Sequence, residues 1–188
     1  MILPEGVFID GRTGAMPKAN EHYTKRVREL AGLYRDGAAF DAYVAAHREA
    51  VGYEVAGYRQ DGSDIFFGTT TLSPGRIGDE YFMTRGHYHV RRDCGEVYYT
   101  QSGQGVLLLQ TREGESREVE MAPGVCAFIP PDWAHRSVNT GDTPLVFAWF
   151  CQPTAGHDYG DILTHGMRRL AVERGGKVAF IANPTLGA

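Results

Sequence analysis

The stretch Arg85–Tyr99 reads RGHYHVRRDCGEVYY, and it brings His87, His89 and Glu96 within ten residues of one another. Side chains two residues apart lie on the same face of a strand, so an extended segment would place both imidazoles on one face. The polar connector VRRDCG ends in glycine and precedes the apolar run EVYYT, a pattern typical of a turn between two strands. A hairpin would therefore fold the carboxylate back beside the two imidazoles.

Short runs of β-branched and aromatic residues continue on both sides of this stretch, from Gly52 to Phe150. Gly and Pro separate the runs, and no helical pattern lies between them. The runs read YEVAGYR, DIFFGTTTL, EVYYTQ, GVLLLQT, SREVEMA, VCAFIP and LVFAWF. Seven or more short strands with closely spaced turns predict an antiparallel barrel or sandwich.

The N-terminal fifty residues carry the clearest helical pattern. In DGAAFDAYVAAHREA, apolar or aromatic side chains recur at helical spacing behind Asp36, a suitable N-cap, at Phe40, Tyr43, Val44 and His47. The preceding NEHYTKRVREL fits either a helix or an edge strand, and we leave both open.

The C-terminal tail GMRRLAVERGGKVAFIANP predicts a hairpin that adds strands to a sheet. Gly175 and Gly176 suit a two-residue turn. Alternating apolar positions flank this turn at Leu170, Val172, Val178 and Phe180.

Length and composition favour a single cytoplasmic domain. The 188 residues predict a single domain, 1–188, with an N-terminal extension (1–51), a barrel core (52–153) and a C-terminal loop and hairpin (154–188). A net charge of -4 offers no basic field for nucleic acid. The three cysteines form neither a C-x-x-C pair nor an even disulfide framework, which favours a reducing compartment. We expect no membrane segment, because no window approaches the roughly 20 apolar residues that a span needs.

A fourth candidate side chain is His135, which follows the proline-rich turn in GVCAFIPPDWAHRSVN. Two or three imidazoles with one carboxylate form a mixed nitrogen and oxygen site that suits Fe, Mn, Ni or Zn. Any one of these histidines alone is more typical of a surface strand or a turn. The H-x-H pair, the following glutamate and the later histidine together favour a metal site.

The motifs around these residues resemble the two motifs of the cupin superfamily. The first reads G-H-Y-H, six residues, Glu96, six residues, Gly103; the second reads Gly124, five residues, P-P-D, two residues, His135, three residues, Asn139. The gap from His89 to Glu96 exceeds the superfamily's common three or four residues, and an aspartate stands where glycine is usual. With TRGHYH, PPDWAHR and AGHDYG, the chain resembles the cupin-type phosphoglucose isomerases over nearly its whole length.

This resemblance implies a mainly β cupin fold, a double-stranded β-helix or jelly-roll barrel with an N-terminal helical extension and a C-terminal hairpin. It implies a metal-dependent aldose-ketose isomerase of glycolysis and gluconeogenesis that interconverts glucose 6-phosphate and fructose 6-phosphate, through a metal-stabilised cis-enediolate or a hydride shift. One divalent metal per subunit is expected, with Fe(II) first and Mn(II), Ni(II) or Zn(II) as alternatives. A homodimer is expected as well. A cupin dioxygenase and a non-catalytic sugar-binding cupin are the alternatives.

The resemblance also implies roles for individual residues. The implied metal ligands are His87, His89, Glu96 and His135. Glu96 is the implied base for the C2 proton, and His157 is a candidate for ring opening. The implied substrate-binding residues are Tyr53, Thr70, Thr84, Arg85, Gly86, Tyr98 and Tyr159. Of these, the threonines and Gly86 match the phosphate positions, and Arg85 would add a positive charge there. The tyrosines and His157 match positions that line the sugar pocket.

Some of these residues have an ordinary structural interpretation without the resemblance. Threonines are common on any strand, so those of GTTTL are not distinctive. His157, in a glycine-rich loop, is equally typical of a pocket or of solvent. Cys151 stands where the family is expected to have tyrosine, so one phosphate contact is expected to differ.

Overall fold

The protein is built mainly of antiparallel strands. The computed structural model describes residues 3–185, and over these residues the chain forms thirteen strands and two α-helices. The strands are β1 (Glu21–Arg26), β2 (Val51–Arg59), β3 (Phe66–Leu72), β4 (Arg76–Ile77), β5 (Glu80–Tyr81), β6 (Glu96–Ser102), β7 (Gly105–Gln110), β8 (Ser116–Met121), β9 (Cys126–Ile129), β10 (Ala134–Asn139), β11 (Leu145–Cys151), β12 (Arg169–Arg174) and β13 (Lys177–Ala182). The helices are α1 (Gly37–Ala46) and α2 (Gly160–His165), and a 3-10 turn spans Val27–Leu30.

The strands form three sheets around one core. A six-stranded sheet has the order β1-β2-β3-β11-β6-β9, a three-stranded sheet the order β10-β7-β8, and a four-stranded sheet the order β13-β12-β5-β4. Buried apolar side chains from all three sheets pack into a single cluster, which includes Leu72, Leu107, Val138, Phe147 and Ala171. The predicted fold class, a mainly β cupin barrel, is confirmed.

All seven apolar runs that predicted strands lie in strands, β2, β3, β6 to β9 and β11. The patterns did not predict β10, whose sequence AHRSVN is mostly polar although all six residues are buried. They also did not predict the two-residue strands β4 and β5 or the short helix α2.

The N-terminal helix is confirmed, and the ambiguous segment before it is now resolved. Oδ1 of Asp36 accepts a hydrogen bond of 2.9 Å from the Ala39 N–H, which caps α1 as predicted. Phe40 is buried, whereas His47 is exposed and ends the helix. The segment NEHYTKRVREL forms the edge strand β1 followed by the 3-10 turn, not a helix.

The C-terminal hairpin is also confirmed, with Gly175 and Gly176 in its turn. Its apolar alternation is correct on one strand only. Leu170 and Val172 are buried, but Val178 and Phe180 lie exposed. Val178 and Phe180 pair with Glu173 and Ala171, so the register places them on the opposite face of the hairpin from Leu170 and Val172.

The division into extension, barrel core and tail stays a prediction. Residues 1–2 and 186–188, the ends of the predicted extension and tail, lie outside the described residues. Within residues 3–185, no helix has both the length and the apolar character that crossing a membrane requires.

Candidate metal centre

Four side chains that are distant along the chain meet in one place. His87, His89, Glu96 and His135, called here the His/Glu cluster, offer ligand atoms that all lie within 4.8 Å of one another. His87 and His89 come from the segment between β5 and β6, Glu96 begins β6, and His135 lies on β10. The cluster therefore joins the six-stranded sheet to the three-stranded sheet.

The segment that carries the two neighbouring histidines is extended, but it does not form a regular strand. His87 exchanges two backbone hydrogen bonds with His135, of 3.2 and 3.0 Å, and Tyr88 exchanges two with Asp158, of 3.0 and 2.8 Å. These single bridges tie neighbouring residues to two different parts of the chain. Both imidazoles nevertheless line one cavity, as expected for alternate residues of an extended segment.

Backbone carbonyls orient two of the three imidazoles. Nδ1 of His89 lies 3.0 Å from the Cys94 carbonyl oxygen, and Nδ1 of His135 lies 3.2 Å from that of Trp133. A carbonyl can only accept, so each Nδ1 donates its hydrogen, and Nε2 of a neutral ring then presents its lone pair. Ligating histidines in metal sites are commonly oriented in this way.

The facing atoms of the cluster are acceptors, and this fits a cation. Nε2 of His89 and Nε2 of His135 lie 3.3 and 3.1 Å from Oε2 of Glu96. Lone pairs and a carboxylate oxygen repel at such distances unless a proton or a metal ion lies among them. In addition, the buried Nε2 atoms of His87 and His135 have no aligned hydrogen-bond partner among the described residues. The donor set therefore fits a divalent metal.

Burial and mutual charge set the ionisation of the cluster. Burial raises the pKa of Glu96, but with a proton between Nε2 and the carboxylate the hydrogen bonds from His135 and His89 outweigh burial and lower that pKa to about 2. Burial, with the neighbouring imidazoles, holds the pKa of His87 well below its usual value. At neutral pH the carboxylate is charged and His87 is neutral, which are the states that ligate metals.

The cluster forms part of the wall of a cavity of about 230 Å³. Every residue with an implied catalytic or substrate-binding role also lines this cavity: Tyr53, Thr70, Thr84, Arg85, Gly86, Tyr98, His157 and Tyr159. Tyr53 and Tyr159 are more than a hundred positions apart in the sequence, and the fold brings all eight residues to one cavity.

His157 stands directly against the cluster. Its ring lies perpendicular to that of His87, with 4.3 Å between the ring centroids. The centroid of the Tyr159 ring lies 5.7 Å from that of His157. Burial lowers the pKa of His157, so that its ring is neutral at pH 7. Of the two interpretations left open for this residue, the pocket position is the one observed.

Thr84, Arg85 and Gly86 form a second part of the wall. Oγ1 of Thr84 accepts a hydrogen bond of 3.1 Å from the Ser137 N–H, which leaves the hydroxyl hydrogen available as a donor. The guanidinium of Arg85 lies over the ring of Tyr159, 5.0 Å from its centroid. This part of the wall thus offers a hydroxyl group, a backbone N–H group and a guanidinium cation.

Several cavity residues were not predicted from the sequence. Glu21 and Tyr23 come from β1, and the ring of Tyr23 meets that of Tyr53 edge-on with 6.2 Å between centroids. The sequence did not identify these two residues as cavity residues, because the pattern of their segment fitted a helix as well as a strand. Trp149 on β11 also lines the cavity, as does Cys151 at the end of that strand, which the resemblance had already placed at a phosphate contact. Burial raises the pKa of the Cys151 thiol to about 12.

Comparison with known proteins gives a consistent result. Residues 24–184 match the family described as "Glucose-6-phosphate isomerase (GPI)". The glucose-6-phosphate isomerase of Thermococcus onnurineus is 43% identical over 183 residues, which are 96% of this chain and 95% of that protein. That of Sinorhizobium medicae is 45% identical over 172 residues, 90% of this chain and 80% of that protein. Among solved structures, oxalate decarboxylase from Bacillus subtilis aligns with a TM-score of 0.46 and 23% identity, over 58% of this chain and 27% of that one.

Proposed function

The chain belongs to the glucose-6-phosphate isomerase family, and we propose that it interconverts glucose 6-phosphate and fructose 6-phosphate in the cavity beside the His/Glu cluster. The observation that carries this proposal is the cluster itself, three imidazoles and a carboxylate in the wall of a cavity that also offers hydroxyls and an arginine. Family membership does not favour a cupin dioxygenase or a non-catalytic sugar-binding cupin.

We propose that His87, His89, Glu96 and His135 hold one divalent metal per subunit, Fe(II) first, with Mn(II), Ni(II) or Zn(II) as alternatives. The acceptor atoms that face one another in the cluster support this. When bound, such a metal supplies a Lewis acid that stabilises the negative charge developing on the sugar oxygens at C1 and C2. Mixed nitrogen and oxygen sites accept several first-row metals, so availability contributes to the choice.

Glu96 is the proposed base. Isomerisation moves one hydrogen between C1 and C2, and the carboxylate would take the proton from C2 of glucose 6-phosphate and return it at C1. Its low pKa keeps it ionised and able to accept a proton at neutral pH, but it also makes the carboxylate a weak base. The alternative is a direct hydride shift between the two carbons, which requires no base.

The remaining cavity residues would bind and orient the sugar. Thr70, Thr84 and the Gly86 backbone are the proposed donors to the phosphate, and Arg85 adds a positive charge. Tyr53, Tyr98 and Tyr159 are proposed to contact the hydroxyl groups. A neutral His157 can accept a proton and return it, which is the requirement for opening the sugar ring. Binding energy from the phosphate, which does not react, would hold C1 and C2 in place.

The test of this function is metal-dependent turnover. Protein stripped with a chelator is assayed for conversion of fructose 6-phosphate to glucose 6-phosphate, and Fe(II), Mn(II), Ni(II) and Zn(II) are then resupplied separately. We expect activity to disappear with the metal and to return with at least one of the four. An active stripped protein would contradict the role of the cluster, and inactivity with every metal would contradict the isomerase assignment.

Turnover in deuterated water separates the two routes. Proton transfer by Glu96 predicts deuterium from the solvent in the product, whereas a hydride shift carries the original hydrogen across. Product sampled early and free of deuterium would exclude the Glu96 route and leave the carboxylate as a ligand only.

We further propose that the protein is a cytoplasmic homodimer. The face of the six-stranded sheet that points away from the core exposes a row of three aromatic rings and one valine, called here the aromatic row: Phe67, Phe150, Val97 and Phe128 lie opposite one another in register across β3, β11, β6 and β9. Phe128 is 66% exposed and Phe150 41%. Such a patch is typical of a protein interface, and a second copy of the chain is the simplest partner. Free Cys94, Cys126 and Cys151 suit the reducing cytoplasm.

A further inference from the structure

We propose that Arg136 is a positioning residue that fixes the Arg85–Gly86 peptide for the phosphate end of the substrate. Arg136 does not itself line the cavity, and the inference rests on the proposed function of the cavity. Its side chain is 1% exposed on β10, next to His135 of the His/Glu cluster. Nε and Nη2 both donate hydrogen bonds to the Arg85 carbonyl oxygen, at 3.2 and 2.7 Å.

This fork sets the direction of the neighbouring N–H group. In a planar trans peptide the carbonyl of Arg85 and the N–H of Gly86 point in opposite directions. The guanidinium therefore holds the Gly86 N–H pointing away from the core side occupied by Arg136. Among residues 3–185, no group accepts a hydrogen bond from this N–H. It is thus a fixed donor, available to an anion in the cavity that Gly86 lines.

The two residues also fit closely. Gly86 has φ of +76°, and a Cβ at this position would lie 3.1 Å from both Cβ and Nε of Arg136. A side chain here would be strained and would push the guanidinium off the carbonyl. The glycine and the arginine therefore act as one unit, in which the peptide lies directly against the guanidinium.

The rest of the segment is tied to the same strand. The Thr84 N–H donates to the Ser137 carbonyl at 2.9 Å, and His87 bridges His135. Arg136 secures the peptide between these two attachment points. β10 thus links the proposed phosphate donors to a ligand of the His/Glu cluster, and it sets the spacing between the two ends of the substrate.

Burying the charge of Arg136 would be unfavourable if the side chain served only to pack the core. Its guanidinium is buried, and Nη1 has no hydrogen-bond partner among the described residues. The acidic group whose charge acts on it is Glu80, which is also buried and has one oxygen without a partner among the described residues. An apolar side chain of similar volume commonly replaces a buried ionic group without loss of stability. The charge of Arg136 is explained by function, because it lies behind the Arg85–Gly86 peptide that faces the proposed phosphate site.

The test compares Arg136→Met, which keeps an unbranched stem and removes every side-chain donor, with Arg136→Lys, which keeps the charge and a single donor group. We expect KM for fructose 6-phosphate to rise about tenfold or more in the Met variant and by less in the Lys variant. The inhibition constant of inorganic phosphate should weaken in parallel. We expect kcat to stay within about threefold and the metal content to stay at the wild-type level.

Val138→Ala is the matched control, because it removes buried volume two residues along the same strand without touching the Arg85 carbonyl. It should lower thermal stability and leave KM unchanged. Equal changes of KM in Val138→Ala and Arg136→Met, or unchanged KM in both Arg136 variants, would overturn the inference. So would a loss confined to kcat or to bound metal. If the Met variant does not fold, the Lys variant decides by the same criteria.

The proposed function and this inference can fail separately. If the wild-type protein does not isomerise fructose 6-phosphate, calorimetry with inorganic phosphate still measures the anion site. Weaker phosphate binding in the Arg136 variants would then support the inference while the isomerase proposal fails. Normal isomerisation with unchanged phosphate binding and KM in the variants would overturn the inference alone.

Discussion

At the scale of single residues, the cavity depends on side chains whose ionisation is set by close neighbours. Glu96 and the imidazoles of His89 and His135 present acceptor atoms to one another, and this arrangement is stable only with a positive charge among them. Carbonyl oxygens of Cys94 and Trp133 hold two of the rings in place from behind. The sequence predicted the four members of the cluster but not these supporting contacts, because every residue has a backbone carbonyl and its direction depends on the fold alone.

Glu96→Gln should abolish most activity while keeping the shape of the site. The amide has no negative charge to balance a divalent metal and cannot accept the C2 proton, so we expect kcat/KM to fall by about 10²- to 10⁴-fold and the bound metal to decrease. Steady-state kinetics and elemental analysis by mass spectrometry measure the two effects. Glu120→Gln, an exposed glutamate on β8, is the control and should change neither. Full activity in Glu96→Gln would exclude both proposed roles.

Cys151 should react slowly with alkylating reagents, and the rate should rise with pH well into the alkaline range. Only the thiolate is nucleophilic, and burial raises the Cys151 pKa to about 12, so its thiolate fraction still grows tenfold for each pH unit from 8 to 10. Mass spectrometry after iodoacetamide treatment measures each cysteine, with exposed Cys126 as the internal reference. Fructose 6-phosphate should protect Cys151 and not Cys126. A Cys151 rate that levels off near pH 8 would contradict this.

At the scale of elements, the six-stranded sheet makes room for a large ring in the cavity wall. Gly57, Gly68 and Trp149 are neighbours in one row across β2, β3 and β11. A Cβ on Gly68 would lie 2.3 Å from Cζ2 of Trp149 and 2.2 Å from the Ala56 carbonyl oxygen. The indole therefore packs directly over the backbone of β3.

Gly68→Ala should lower the free energy of unfolding by about 1–3 kcal/mol, because the methyl group collides with both backbone and indole. The displaced Trp149 should also shift the intrinsic fluorescence, which only two tryptophans contribute. Urea denaturation followed by fluorescence measures both. Gly37→Ala, at the start of α1 with open space around its Cβ, should be neutral or slightly stabilising. Equal stability of the two variants would contradict the close packing of Trp149.

The same scale shows where prediction from the sequence succeeded and where it failed. Strands made mostly of apolar residues, such as GVLLLQ, were predicted because their burial is visible in their composition. β10 was missed because its polar side chains are buried in specific contacts: His135 in the cluster, Arg136 on the Arg85 carbonyl, and Asn139 donating to the Leu72 and Thr143 carbonyls. Hydrophobic patterns cannot identify a strand whose buried groups are paired rather than apolar. The motif resemblance, by contrast, selected the cavity residues well.

At the scale of the whole molecule, the aromatic row on the outer face of the six-stranded sheet should determine the oligomeric state. Phe128→Asp places a charge in the row and should convert a dimer into monomers, as measured by light scattering after gel filtration. Phe180→Asp is the control, since this exposed phenylalanine lies on the four-stranded sheet. A monomeric wild-type protein would contradict the proposed homodimer, and a dimeric Phe128→Asp would exclude this face as the interface.

The edge position of β1 has a consequence for how the cavity exchanges its contents. Among the described strands, β1 pairs with β2 only, yet its Glu21 and Tyr23 form part of the cavity wall. Detaching β1 breaks one ladder and leaves the His/Glu cluster intact, so we expect a substrate to enter the cavity by local opening on this side of the barrel. Such local opening is visible in hydrogen exchange. Amide hydrogens of β1 should exchange faster than those of β11, and bound sugar phosphate should slow the exchange in β1. Equal protection of the two strands would mean that the substrate enters the cavity elsewhere.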